Sequence, residues 1–111
     1  MLCGDAEFAA DLVIVGIGIV PNIELAEAAG LACDNGIVVD DHCQTSDPDI
    51  YAAGDCTNHP NPLLDRRLRL ESVPNAMDQA RTSAANMLGG DKTTPPFRGF
   101  GPINTSSNCK W

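Results

Sequence analysis

The stretch "ADLVIVGIG", Ala10 to Gly18, is a nearly unbroken β-branched run. It predicts a strand buried on both faces within a parallel sheet. It ends in Gly-Ile-Gly, where glycine lets a backbone or ligand come close. Pro21 then predicts a turn, and Asn22 a cap for the helix of "IELAEAAGL", with Gly30 as its C-terminal stop. "CDNG" reads as a turn, and Ile37 to Val39 as a strand. "DPDIYAAGD" predicts a second short buried strand after a proline turn. Asn58 to Leu64 read as a Pro- and Asn-rich loop, and "RRLRLESV" as a turn or short extended stretch. "PNAMDQARTSAANMLGG" predicts a helix, with Pro74 in its first turn and Gly89-Gly90 at its end. Beyond Gly90 the apolar period vanishes, the composition of a disordered tail.

The 111 residues have room for one modest core. With 43% apolar and 20% charged residues, the composition is that of a globular chain. The formal net charge of −8 opposes nucleic acid or an anionic membrane as a partner. No apolar run approaches the roughly 20 residues of a membrane span, and no secretion signal is visible. The five cysteines, Cys3, Cys33, Cys43, Cys56 and Cys109, form an odd, irregular set. They argue against a disulfide framework and for a reducing cytoplasm. No C-x-x-C dithiol is present. Cys33, His42, Cys43, Cys56 and His59 leave open a small metal-binding or interaction domain, although a paired zinc knuckle is missing.

Three stretches could carry chemistry. In "AAGD", Gly54 and the alanines remove bulk, and Asp55 presents a carboxylate at a strand's C-terminal end. Ligands of open α/β sheets sit at such ends, and a carboxylate there suits hydroxyl groups. A turn or capping aspartate explains the motif equally well. In "RLESVPNAMDQA", the helix start offers free N–H groups and a positive dipole end. Glu71 and Gln79 could bond a ligand or serve only as surface polarity and capping. "GIGIVPN" is a weak glycine signal, because Pro21 stands where G-x-G-x-x-G needs its third glycine.

Taken in order, "ADLVIVGIGIVPN", "DNGIVVDDHCQTSDPDIYAAGDC" and "RLRLESVPNAMDQARTSAANMLGG" resemble the FAD-dependent ferredoxin reductases over roughly residues 2 to 90. These are the putidaredoxin- and rubredoxin-reductase branch of the pyridine nucleotide–disulfide oxidoreductases. The resemblance implies an α/β fold drawn from two adjoining Rossmann-like domains. Residues 1–35 would end the NAD(P)-binding domain, 36–90 would form the C-terminal part of the FAD-binding domain, and 91–111 a frameshifted or disordered tail. It further implies FAD and NAD(P)H as cofactors and a ferredoxin or rubredoxin as electron acceptor. Asp55 and Gly54 fall in the second FAD motif, with Asp55 at the flavin's ribityl chain. Val73 matches the position whose backbone meets the isoalloxazine ring. Glu71 falls near the flavin–nicotinamide interface, and Gly16 and Gly18 near the nicotinamide. No catalytic acid, base or nucleophile is implied. Nitrite-reductase and monodehydroascorbate-type flavin reductases are alternatives within the same superfamily.

The chain departs from that pattern in three ways. It lacks both glycine-rich pyrophosphate loops and the family's C-terminal domain, so a fragment without tight FAD binding or activity of its own is expected. The third departure is the tail, where the family continues with "VPWFWSDQY" and a "KLQ". Reading each codon's third base with the next codon's first two allows Arg98 through Thr105 to encode "WFWSDQY". A frameshift near residues 90 to 93 is therefore expected, which the nucleotide sequence decides.

Overall fold

The computed structural model describes residues 2–3 and 6–96. Cys109 and the predicted frame-shifted stretch from Phe97 onward lie outside the described residues. The architecture is α/β. A two-residue antiparallel ladder, β1 (Leu2–Cys3) with β2 (Ala6–Glu7), precedes helix α1 (Glu24–Ala28). A three-stranded mixed sheet follows in the order β3 (Ile37–Val38), β4 (Thr57–Asn61), β5 (Arg66–Leu68). β3 runs parallel to β4, which pairs antiparallel with β5 in the register His59 with Leu68 and Asn61 with Arg66. Helix α2 (Val73–Met87) leaves the sheet and packs back over the residue-54 loop.

Local chemistry decides several boundaries as expected. Gly30 takes φ +74 just beyond α1, a left-handed stop that glycine adopts without a Cβ clash. Pro74 occupies the first turn of α2, where its missing N–H costs nothing. The turn at 34–36 closes through Asp34 N–H to Gly36 O, with Gly36 at φ +124. A Cβ on Gly36 would stand 2.7 Å from Cys56 O, so only glycine lets β3 lie this close to the 55–58 segment.

Four expectations are corrected. Ala10 to Gly18 form no strand, and Leu12 and Ile14 are 79% and 88% exposed. A strand needs a ladder partner, and among the described residues none pairs with this run. Asn22 does not cap α1: the N-cap is Ile23, without a side-chain cap. The stretch around Tyr51 is not a buried strand but one isolated bridge, Gln44 with Tyr51, with Ile50 at the surface. An Asp47-Thr45 turn on one side and Gly54 at φ +93 on the other leave no straight run to pair. Asn58 to Leu64 are not a loop throughout: Thr57–Asn61 is the central strand. β3 pairs only with Thr57 and Asn58, so Pro60 sits beyond the point where a donor on that side is needed. There the Arg67 guanidinium takes over from β3, donating to Val39 O and Asn58 O.

Helix α2 is polar on its buried face. Asn75, Gln79, Thr82, Ser83 and Asn86 point inward. Val73, Met77, Ala80, Ala84 and Met87, at steps of four, three, four and three, form an apolar stripe that faces outward. Buried amides and hydroxyls require partners. Asn86 meets that need by donating to His42 O and Lys92 O while accepting from Lys92 N–H. Residues 92–94 thus run from Asn86 along the 41–43 loop, with Thr94 N–H donating to Asp41 O.

Candidate functional site

The loop after Tyr51 and the start of α2 meet at one place. Gly54 at φ +93 turns the chain sharply, and its missing side chain faces Ala76 of α2, where a Cβ would sit 3.7 Å from Ala76 Cβ. Gln79 reaches down from α2 to hold the turn. Its Oε1 accepts from Gly54 N–H at 2.7 Å and lies 2.9 Å from Thr57 Oγ1. That hydroxyl is also 2.8 Å from Gly54 O, and its single proton serves one acceptor at a time. Gln79 is fully buried, so this bond fixes the loop against the helix.

Asp55 follows directly. Its Oδ1 accepts from Ser72 N–H at 3.4 Å, a long bond at the edge of normal geometry. Ser72 is the N-cap position of α2, and its side chain makes no cap hydrogen bond. The first turn closes through Ala76 N–H to Ser72 O. Asp55 therefore stands beside the positive end of a 15-residue helix whose leading amides have no side-chain cap. Asn75 Nδ2 and Gln79 Nε2, one turn apart on that helix, are buried without a hydrogen-bond partner. Each is a donor whose burial costs about 1–3 kcal/mol unless something polar meets it.

Of the six predicted site residues, the structure brings Gly54, Asp55 and Val73 together around this corner. Val73, 73% exposed, opens the helix. Glu71 lies one residue before the N-cap. Its Oε1 receives Arg69 Nη1 at 3.0 Å and Ile19 N–H at 3.2 Å. Gly18 takes φ +93 immediately before Ile19, and Gly16 faces open space, so both lie on the exposed arm that Glu71 touches. Arg69 is the residue sequence reasoning missed. It is 1% exposed and also donates to Ile19 O and Asp55 O.

The metal-ligand types do not gather as the sequence allowed. Among the described residues, one cluster has ligand atoms close enough for a cation, namely Asp40, Asp41 and His42, and it contains no cysteine. His42 Nδ1 is 2.8 Å from Asp41 and Nε2 is 3.0 Å from Asp91. Partial burial pulls the His42 pKa down, but the hydrogen bonds to Asp91 and Asp41 and the Asp41 and Asp40 charges outweigh it and raise it. His59 is pushed the other way, by burial and by the Arg67 charge. Cys33, Cys43 and Cys56 are free thiols. A cavity of about 490 Å³ between His59, Asn61, Arg67 and Thr94 includes none of the six predicted residues. No helix among the described residues is long and apolar enough to cross a membrane.

Comparison with known proteins bears on the family of the chain. The family pattern described as pyridine nucleotide-disulphide oxidoreductase matches residues 2–80. The chain is 58% identical over 101 residues to a putidaredoxin reductase of Pseudomonas putida, covering 87% of this chain and 24% of that protein. It is 58% identical over 80 residues to a rhodocoxin reductase of Rhodococcus erythropolis, covering 72% and 19%. Among solved structures, a covalent putidaredoxin reductase–putidaredoxin complex superposes with a TM-score of 0.68 at 55% identity, over 86% of this chain and 23% of that one. The chain spans about a fifth to a quarter of the length of these relatives.

Proposed function

The chain belongs to the pyridine nucleotide-disulphide oxidoreductase family, and we propose that it forms the joint between the NAD(P)-binding and FAD-binding parts of a ferredoxin reductase. In this reading residues 1–35 close the nicotinamide side, and 36–90 close the flavin side, each from a Rossmann-like domain. The partners are NAD(P)H and an iron–sulfur ferredoxin or rubredoxin, and the free thiols suit work in the cytoplasm. The observation that carries the reading is the meeting of the Asp55 carboxylate with the side-chain-uncapped start of α2.

The residues present fit part of a flavin. Asp55 can accept hydrogen bonds from ribityl hydroxyls. The Val73 N–H and the positive helix end can face the electron-rich pyrimidine edge of the ring. The buried, unpartnered donor of Asn75 on the same helix also favours an electronegative neighbour. When bound, the flavin supplies the redox chemistry, taking hydride from NAD(P)H and passing single electrons to the acceptor. The chain's own residues bind and orient; none is proposed as an acid, base or nucleophile. The pyrophosphate does not fit, because the chain holds no G-x-G-x-x-G loop. The outward apolar stripe of α2 and the exposed run at 12–20 support further polypeptide covering both in the working enzyme.

A hybrid tests the proposal: residues 2–90 replace the matching stretch of a full-length relative. The hybrid is expected to purify yellow, with one flavin per chain, and to reduce its ferredoxin with NADH. A folded, colourless hybrid would refute the assignment.

A further inference from the structure

We propose that Arg69 is a positioning residue: its buried guanidinium, held by Glu71, ties the Ile19 segment to the Asp55 loop and keeps the two sides of the joint in one arrangement. Its functional consequence rests on the flavin-site reading above; the tie itself does not.

The guanidinium joins segments far apart in the sequence. Nη2 donates to Ile19 O at 3.1 Å, and Nη1 to Asp55 O at 3.2 Å and Glu71 Oε1 at 3.0 Å. Nε faces Asn35 Oδ1 at 3.5 Å. Glu71 Oε1 also accepts from Ile19 N–H, so one ion pair holds both backbone groups of Ile19. Only a planar, permanently charged fork of donors spans these acceptors; a lysine ammonium is a single point. The stem fits because Gly36 has no side chain: a Cβ there would come within 3.2 Å of Arg69 Cδ. A buried cation that loses its carboxylate is strongly disfavoured, so neither partner leaves alone. Ile19 directly follows Gly18 and lies three residues after Gly16, while Asp55 and the segment leading to Val73 meet the guanidinium from elsewhere in the chain. Loss of the clamp removes one bond to Asp55 O, but Gln79 and Ser72 N–H still hold the 54–55 loop, so the main effect falls on the nicotinamide side.

Amide hydrogen exchange on the full 111-residue chain reads the tie without flavin. Ile19 N–H is expected to exchange about tenfold faster in Arg69→Met and in Glu71→Ala, with α2 amides still protected. Arg69→Lys should not restore the wild-type rate. Ile19 exchange within twofold of wild type in both variants overturns the proposal. If Arg69→Met also loses α2 protection, Glu71→Gln decides. It keeps an acceptor for Ile19 but removes the charge holding Arg69, so tenfold faster exchange supports the ion-pair tie and unchanged exchange sinks it. In the hybrid reductase, Arg69→Met is expected to raise KM for NADH about tenfold at unchanged flavin content. Loss of flavin in proportion to lost stability marks a merely structural residue and overturns the positioning role. A colourless unsubstituted hybrid refutes the flavin reading instead, and the exchange data still decide the clamp.

Discussion

Gly36→Ala is the substitution whose cost is easiest to work from the structure. Gly36 has φ +124, a conformation essentially restricted to glycine, and holding another residue there costs about 1–3 kcal/mol. The new Cβ would also stand 2.7 Å from Cys56 O and 3.3 Å from Asn58 N. Both are backbone atoms, so they cannot swing aside as a side-chain end would. Cys56 O accepts from Ile37 N–H at 2.8 Å, so moving it breaks the first link between β3 and β4. Overpacking of this kind adds about 1–3 kcal/mol. The stiffer unfolded chain returns about 0.4–1 kcal/mol. The net loss is about 3 kcal/mol, a fall of roughly 12–24 °C in Tm for a domain of this size. Thermal unfolding followed by the helical circular-dichroism signal, to which the 15-residue α2 contributes most, measures it. Gly16→Ala is the control: nothing lies within 4 Å of its built Cβ, and a change within about 0.5 kcal/mol is expected. A Gly36→Ala variant as stable as the control would refute the close-approach argument.

The two histidines predict a stability maximum near pH 6.5, the ordinary imidazole value. His42, raised in the folded state, contributes stability fully present below that value and lost as pH rises through its folded pKa. His59, lowered, works oppositely: the unfolded state binds its proton first, so stability falls as pH drops below the ordinary value. Proton NMR titration checks both directions, and Asp91→Asn should bring the His42 pKa down. Gln79→Ala removes the buried acceptor of Gly54 N–H and should cost about 1–3 kcal/mol, read by urea unfolding, with loss of order at residues 54–57. Met77→Lys places a charge on the outward stripe of α2 and should reduce self-association of the isolated chain in sedimentation; an unchanged distribution would argue that the stripe is not adhesive.

Features set by neighbouring residues were legible in the sequence. Gly30, the Asp34–Gly36 turn, β3 and α2 each depend on chemistry within a few positions. The Asp55–Val73 corner was legible only as a family resemblance, because the two residues meet through a turn that Gln79 fixes from α2. The run Ala10 to Gly18 was misread because strand formation depends on a partner, which composition does not supply. Thr57–Asn61 was misread because one proline and two asparagines conceal a strand whose pairing switches from β3 to β5 partway along. Arg69 carried no local signal. Set between Leu68 and Leu70, an alternating strand would turn it outward, yet all three are buried, and the acceptors that explain it come from residues 19, 35, 55 and 71.

A crystal structure of the hybrid reductase with its flavin tests the central claim most directly. The Asp55 carboxylate is expected within hydrogen-bonding distance of a ribityl hydroxyl, about 2.5–3.0 Å, with the Val73 N–H facing the pyrimidine edge of the ring. A flavin seated elsewhere, with Asp55 still turned to Ser72 and no flavin atom near it, would contradict the account.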